Sequence, residues 1–291
     1  MSIKASMVKE LRDRTGAGMM ECKKSLLEVN GDIDAAIELL RTSGQAKAEK
    51  KASRIAAEGR IAIANNFSDA VLIEVNSETD FVAKDRNFID FTNSIADLLL
   101  STNLTELDKL NESEVSNGKT VEDVRTDLIA KVGENISIRR FNQIKGSENL
   151  GFYSHGSRIG AIVSLKGGDK ELAKDIAMHV AASNPVCIDE KDVPEDIIDR
   201  EKRIYTEQAL SSGKPPEIAE KMVNGRVKKF FKEITLLGQP FIKDPDKSIQ
   251  DLLQNTNAVV IDFFRFEVGE GIEKEEENFA DEVMKQIKGD N

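Results

Sequence analysis

The stretch VLIEVNSETDFVAKD, residues 71–85, decides how the rest of the chain is arranged. Its first part, Val71–Val75, is a short apolar run that predicts a buried β-strand. The polar residues Asn76 and Ser77 are expected to end that strand. The remainder predicts a polar connection from a strand to a helix.

One large aromatic side chain stands in this polar connection. Either Thr79 or Asp80 is placed to cap the helix that follows. Phe81 and Val82 lie between charged residues, in a segment too polar for a protein core. The residue types leave two interpretations of Phe81 open. The ring packs inside its own domain, as most Phe residues do, or it is offered to a partner.

The composition predicts a soluble globular protein with more than one domain. The chain has 291 residues, of which 40% are hydrophobic and 32% are charged. It contains no run of 18 apolar residues and no apolar segment near residue 1, so neither a membrane span nor a secretory signal is predicted. Cys22 and Cys187 are therefore expected to be free thiols in a reducing cytoplasm.

The charge distribution argues against a nucleic-acid partner. The formal net charge is −11, whereas binding to a phosphate backbone needs clustered cations. The charge is uneven, since residues 1–54 carry a net +3 and residues 267–291 carry a net −6. The basic end is suited to an acidic protein surface.

The chain lacks the usual signatures of catalysis and metal binding. We find no G-x-x-x-x-G-K-[ST], G-x-S-x-G or H-E-x-x-H pattern. The histidines and cysteines, at 22, 155, 179 and 187, have no metal-ligand spacing. We therefore predict no catalytic residue, no metal site, no cofactor and no direct nucleotide binding. His179, on a predicted helix, is interpreted as a hydrogen-bonded structural histidine.

Residues 1–43 predict three short helices with tight glycine turns, an arrangement that resembles the ubiquitin-associated-domain fold. Residues 45–58, rich in Ala, Lys and Glu, predict a solvated connector helix with little to bury. Met19 and Met20 have two interpretations. They fill the core of the small domain, or they form an adaptable apolar patch for a partner.

The region after residue 58 contains an internal duplication, weak in identity but clear in pattern. Each copy has a hairpin of two strands, an amphipathic helix and a candidate third strand. The pattern predicts two α+β units, each an antiparallel sheet with helices on one face. The predicted elements are 60–64, 71–75, 87–100 and 136–141 in the first copy, and 152–154, 161–165, 170–182 and 259–266 in the second.

An insertion delays the third strand of the second copy. Pro194 is acceptable in the first turn of a helix, and a second helix is predicted over 217–231. The pair predicts an antiparallel coiled-coil hairpin that projects from the body, with flat packing in the core as the alternative. The narrow apolar stripe of the first helix favours projection; its members are Ile197, Glu201, Ile204 and Gln208, widened by Ile198, Tyr205 and Ala209.

The chain is thus divided into an N-terminal part, two core subdomains, the inserted hairpin and a C-terminal module. A last helix is predicted over 278–287, with Phe279, Val283 and Ile287 on one side. The boundaries are 1–54 for the helical domain and connector, 55–145 for the first subdomain, 146–184 with 233–266 for the second, 185–232 for the hairpin and 267–291 for the C-terminal module.

Four segments spread along the chain resemble the bacterial elongation factor Ts family. They are TGAGMMECKKSL at 15–26, TDFVA at 79–83, EIAEKMVNGRVKKF at 217–230 and LLGQPFIKDP at 236–245. The segments occur in the family's order, and the resemblance covers essentially the whole chain. Residues 76–78, just before TDFVA, and the stretch 101–120 fit only loosely, which leaves the details of these loops undefined.

The resemblance implies a guanine nucleotide exchange factor of elongation factor Tu. Asp80 and Phe81, with Thr79 and Val82, would enter a groove of that GTPase and disturb its Mg²⁺ site. Supporting contacts would come from Arg12, Met19, Met20 and His155.

In the family His155 would lie beside the inserted aromatic residue, and the duplication places it opposite the 79–83 segment. The C-terminal module would make a further contact. The sequence leaves a homodimer and a 2:2 complex with the partner open. A non-catalytic adaptor or scaffold, suggested by residues 1–43 alone, is the alternative function.

Overall fold

The computed structural model describes residues 3–116, 118–211, 213 and 215–273, and the predicted helix over 278–287 lies outside them. The predicted α+β class is confirmed, since helices cover small antiparallel sheets. The helices are α1 (Ala5–Thr15), α2 (Met19–Glu28), α3 (Ile33–Lys51), α4 (Asp80–Ala83), α5 (Arg86–Ser101), α6 (Leu107–Glu112), α7 (Val121–Val132), α8 (Lys170–Ser183), α9 (Glu195–Ser211), α10 (Pro216–Ile234) and α11 (Ile249–Asn255). The strands are β1 (Glu58–Asn65), β2 (Ala70–Ser77), β3 (Glu114–Ser116), β4 (Lys119–Thr120), β5 (Ile136–Ile144), β6 (Asn149–His155), β7 (Ile159–Lys166), β8 (Pro240–Phe241), β9 (Asp244–Ser248) and β10 (Val259–Glu267).

Helices α1–α3 pack around a small core of their own. Gly16 ends α1 with a φ of 70°, a left-handed conformation that glycine adopts without strain. Asp32 caps α3 by accepting a hydrogen bond from the Ala35 amide at 3.0 Å. The buried residues of this core are Val8, Leu11, Cys22, Leu26 and Ala36.

The predicted connector helix over 45–58 is confirmed only in part: residues 45–51 are helical and mostly exposed, but they continue α3, which ends at Lys51. Its second half is not merely solvated. A Cβ on Gly44 would lie 3.7 Å from Ala130 and 3.8 Å from Thr126, both on α7. Ala48 is buried in the core of the first subdomain. Small residues allow the two helix backbones to approach, so α3 joins the N-terminal helices to the body.

The first copy of the duplication forms an antiparallel sheet with strand order β1-β2-β5. Helix α5 covers one face, and its apolar stripe enters the largest core of the molecule. The second copy repeats this topology with strand order β10-β7-β6 and helix α8. The other faces of the two sheets pack against each other through residues such as Leu72 and Ile162.

The expectation that Asn76 and Ser77 end strand β2 was wrong, because β2 includes both residues and buries them. The side-chain nitrogen of Asn76 and the Ser77 hydroxyl have partners inside the structure, whereas Asn76 Oδ1 is buried without a hydrogen-bond partner. The Asn76 amide donates to the Glu58 carbonyl at 3.0 Å, and the Ser77 hydroxyl donates to the Thr79 carbonyl at 2.9 Å. Polar residues with such partners remain in a buried strand without a large energetic cost.

A fully buried carboxylate, Glu74 of β2, connects the two copies. It accepts hydrogen bonds from Arg139 Nη1 at 3.0 Å and Arg140 Nε at 2.6 Å, both on β5. It also accepts from the Asn76 amide at 3.1 Å and from the Gly269 backbone N–H at 2.8 Å. Since Gly269 follows β10, this network ties the first sheet to the end of the second.

Two helices, α9 and α10, form the insertion in the second copy. Only a narrow stripe between them is buried among the described residues, namely Ala209, Ala219 and Val227. The prediction that Ile204 and Gln208 belong to this stripe was wrong, because both residues are exposed. The Val186 N–H donates to the Ile234 carbonyl at 2.8 Å, so the ends of the insertion lie close together.

Candidate partner-binding site

The connection between β2 and α5 forms one short helical turn, α4. Of the two predicted capping residues, Thr79 is the cap, and its hydroxyl accepts from the Val82 N–H at 3.4 Å. A second cap, Asp85, accepts from the Asn87 N–H at 2.8 Å and starts α5. The chain therefore turns twice within residues 78–85, and α4 is held between two caps.

The two sides of α4 face different surroundings. Val82 and Ala83 point inward and belong to the core of the first subdomain. Phe81, their neighbour, keeps 81% of its surface exposed. A Phe ring that stays exposed beside two buried residues of the same turn is unusual, because burying it would be favourable. The interpretation of Phe81 as a core residue of its own domain is therefore wrong.

Asp80 presents an ionised carboxylate beside this ring. Lys84, one helical turn later, donates to Asp80 Oδ2 at 2.5 Å. This hydrogen bond holds the pKa of Asp80 below its usual range. The surface of α4 thus combines a negative charge with an exposed aromatic ring.

Thr79 is held from outside its own connection by Glu134, which the sequence analysis missed. Glu134 Oε2 accepts from the Thr79 N–H at 3.0 Å, and Oε1 accepts from the Thr79 hydroxyl at 2.6 Å. Glu134 follows Gly133, which ends α7 with a φ of 82°. The sequence does contain a signal for α7 and the loop after it. Thr120 begins a capping box at the start of the helix, and Gly133 is the glycine expected at its end.

His155 lies at the exposed end of β6, next to the turn into β7. That turn meets the start of β1, because the Ser157 carbonyl accepts from the Ile61 N–H at 2.8 Å. Arg158 also forms an ion pair with Glu58 at 2.7 Å. Since Glu58 pairs with Ser77, the turn after His155 lies at the end of the sheet from which α4 departs.

Met19 and Met20 lie on the outer face of α2, with 49% and 73% of their surfaces exposed. Leu27, on the same helix, is 52% exposed and extends this apolar surface. Arg12 is exposed on α1. The interpretation of the two methionines as core residues is therefore wrong. These residues belong to the N-terminal helices, whereas Thr79–Val82 belong to the first subdomain, so the predicted site residues come from two different parts of the fold.

His179 is the structural histidine that the sequence predicts. It is fully buried on α8, and its Nδ1 accepts from the Ile242 N–H at 3.3 Å. The proton is therefore on Nε2, which donates to Gln239 Oε1 at 2.9 Å. Burial lowers the pKa of His179 and keeps the ring neutral.

The described residues contain neither a cluster suited to a metal ion nor a membrane-spanning helix. No cluster of three or more His, Cys, Asp or Glu side chains in residues 3–116, 118–211, 213 and 215–273 is arranged to hold a metal ion. Among these same residues, no helix is long and apolar enough to span a membrane.

Known proteins match this chain along nearly its whole length. A family model described as elongation factor TS matches residues 78–270. An elongation factor Ts of Thioalkalivibrio sulfidiphilus is 58% identical over 293 residues, covering 99% of this chain and 100% of the relative. One from Methylococcus capsulatus is 55% identical, and one from Legionella pneumophila is 53% identical, each covering 99% of both chains.

Proposed function

We infer the function of this chain from its membership of a family: it belongs to the elongation factor Ts family, the nucleotide exchange factors of elongation factor Tu. It acts in translation elongation by promoting the exchange of GDP for GTP on that GTPase, which is not covalent chemistry. The adaptor alternative rests on residues 1–43 alone. It is not favoured, because the relatives cover 99% of the chain.

Phe81 and Asp80, with Thr79 and Val82 behind them, enter a groove of the GTPase's nucleotide-binding domain. The exposure of 81% of Phe81, next to the buried residues Val82 and Ala83 of the same turn, is the observation that carries this proposal. A GTPase holds GDP through P-loop amides and a Mg²⁺ ion bound to the β-phosphate. Inserting the ring shifts the elements that hold this ion, the phosphates lose their counterion, and GDP leaves.

Burial of one Phe side chain has a suitable magnitude for this task. It supplies about 1.5–3 kcal/mol, which corresponds to roughly a 10- to 150-fold change in an equilibrium constant. The coupling is reciprocal, so a factor that weakens GDP binding is itself weakened by nucleotide to the same extent. Incoming GTP therefore releases the factor, and no separate energy source is needed.

The remaining predictions fit this role and stay proposals. Arg12, Met19 and Met20 contact the GTPase from the N-terminal helices, and His155 supports Phe81 from the neighbouring turn. Helices α9 and α10 form an antiparallel coiled coil that projects from the body. The C-terminal module adds a contact, and the chain works in the cytoplasm without binding nucleotide itself. A homodimer or a 2:2 complex with the GTPase stays open.

Release of fluorescent GDP from purified elongation factor Tu tests the proposal. Phe81→Ala should slow factor-stimulated release by one order of magnitude or more, because the inserted ring is lost. Phe67→Ala is a matched control, since Phe67 is 88% exposed in the turn at the other end of the same hairpin. The proposal is wrong if Phe81→Ala exchanges normally per folded molecule.

A further inference from the structure

Glu134 makes an unusual contact with the proposed exchange site. Its single carboxylate accepts hydrogen bonds from both the backbone N–H and the hydroxyl of Thr79. Its two oxygens accept separately from the N–H and the hydroxyl of Thr79, at 3.0 and 2.6 Å. A charged acceptor makes each bond stronger than a neutral one. Together the two bonds fix both the backbone and the side chain of Thr79.

The neighbouring residues make the reverse contact. Glu78, immediately before Thr79, accepts from the Asn135 N–H at 2.6 Å. Each connection thus supplies a carboxylate that accepts from the other connection: Glu134 accepts from Thr79, and Glu78 accepts from Asn135. We call these four residues the carboxylate clasp. The clasp closes next to the last pair of the β2–β5 ladder, Ser77 with Ile136. It thus extends the pairing of these strands beyond the sheet by means of side chains.

The clasp matters because α4 has little stability of its own. A helix of one turn does not recover the entropy of its nucleation. Its only side-chain cap bond, from the Val82 N–H to Thr79, is long at 3.4 Å. The orientation of Phe81, two residues after Thr79, therefore depends on how firmly Thr79 is held.

We propose that Glu134 is a positioning residue for nucleotide exchange, which holds Thr79 so that Asp80 and Phe81 are presented to the GTPase in the binding orientation. This inference rests on the proposed function, because it assumes that Phe81 is the inserted group. Glu134 contacts neither nucleotide nor Mg²⁺. It acts by reducing the conformational freedom that α4 would otherwise lose on binding.

Two substitutions at Glu134 separate positioning from general stability. Glu134→Ala removes both acceptors and should slow stimulated GDP release about tenfold. Glu134→Gln should stay within about threefold of the unchanged protein. Its amide oxygen still accepts from the Thr79 N–H, and its amide N–H donates to the hydroxyl. Asp127→Ala is the control, since Asp127 is an exposed carboxylate on α7 that pairs with Lys119 at 2.7 Å.

Amide hydrogen exchange of the free protein gives a readout that does not depend on the GTPase. Segment 78–84 should exchange faster in Glu134→Ala and not in Asp127→Ala, while the sheet strands stay protected. An unchanged segment 78–84 in Glu134→Ala would overturn the inference.

Combination with Phe81→Ala distinguishes this inference from the proposed function. If Glu134 acts through the orientation of Phe81, Glu134→Ala should add no further slowing to Phe81→Ala. Equal slowing in both backgrounds would show that Glu134 acts elsewhere. Normal exchange by Glu134→Ala alongside slow exchange by Phe81→Ala would overturn only the role of Glu134. Normal exchange by Phe81→Ala itself would overturn the proposed function.

Discussion

The two copies of the duplication differ most where the second strand of each hairpin passes to its helix. In the first copy, residues 78–85 make the α4 turn and end at the cap Asp85. In the second copy, residues 167–169 suffice, and Asp169 caps α8 by accepting from the Leu172 N–H at 2.8 Å. The two copies share the strand order, the helix and the type of helix cap. The exposed Phe81 therefore belongs to the longer connection that only the first copy has.

The short connection of the second copy, residues 167–169, leaves no room for a side chain like that of Phe81. Gly167 has a φ of 74°, and a Cβ there would lie 2.3 Å from the Asn257 carbonyl oxygen. The first copy avoids this constraint because its connection leaves the sheet before turning back. A duplicated scaffold therefore keeps its packing in both copies and carries the proposed exchange residues on one.

The sheets also pack with their hairpin turns at opposite ends. The turn after His155 lies where α4 departs, through the pair Arg158–Glu58 at 2.7 Å. The turn of the first copy carries Phe67, whose ring lies 5.6 Å from Lys170 Nζ at the start of α8. Each turn thus lies beside the connection of the other copy, which is why His155, and not its counterpart, is near the proposed exchange residues.

The largest expected effect contrasts two Phe residues on either side of Asp85. Phe88→Ala should lower the free energy of unfolding by about 3–5 kcal/mol, because it empties a fully buried position in the core. Phe81→Ala should change it by no more than about 0.5 kcal/mol. Urea unfolding of both variants checks this. A large loss for Phe81→Ala would mean that the connection of the first copy is structural, as in the second.

A smaller effect is expected from the two caps. Asp85→Ala and Asp169→Ala should each cost about 1 kcal/mol of stability at pH 7. The hydrogen bond with Asn87 holds the pKa of Asp85 below its usual range. Its contribution is therefore complete above the unfolded pKa, about 3.9, and is lost as the pH falls through the lower folded value. The difference between Asp85→Ala and the unchanged protein should shrink between pH 5 and pH 2; a constant difference would contradict this.

The smallest effect is expected from the insertion that delays the third strand of the second copy. Replacing residues 196–228 by a short Gly-Ser linker makes the two copies more alike. Thermal unfolding should remain cooperative, with a midpoint within a few degrees, because the described core residues of the second subdomain lie outside the deleted stretch. Loss of cooperative unfolding would show that α9 and α10 are part of the core.

Sequence patterns predicted the elements whose apolar residues repeat with a clear period. Both β-hairpins, α5 and α8 were predicted within one or two residues at most of their ends. The prediction failed where polar groups are buried with partners, as at Asn76 and Ser77, since a pattern cannot show that a partner is present. It also failed in part for α3, whose mostly exposed second half buries the small residues Gly44 and Ala48 against the body.

The candidate site was predicted from the 79–83 segment, but its support was not. Phe81 is exposed because Val82 and Ala83 are the residues of α4 that point inward. The four-residue sequence of α4 does not determine which of its side chains point inward. Glu134 is 55 positions from Thr79, and only the β2–β5 pairing brings the two together. Predicting this contact requires the register of β2 against β5. That register includes Asn76 and Ser77, which the sequence pattern placed outside the strand.

The buried carboxylate of Glu74 bears on the entropy of association. Its donors come from β2, from β5 and from Gly269 beyond β10, so rotating one copy against the other would withdraw a donor from a buried charge. The donor that such a rotation would withdraw is the Gly269 N–H, and a hydrogen bond to a charged group contributes about 1.5–3 kcal/mol. The body behind Phe81 therefore has little conformational entropy left to lose when it binds. In the proposed exchange reaction, the free energy of burying the Phe81 ring is then available for deforming the GTPase.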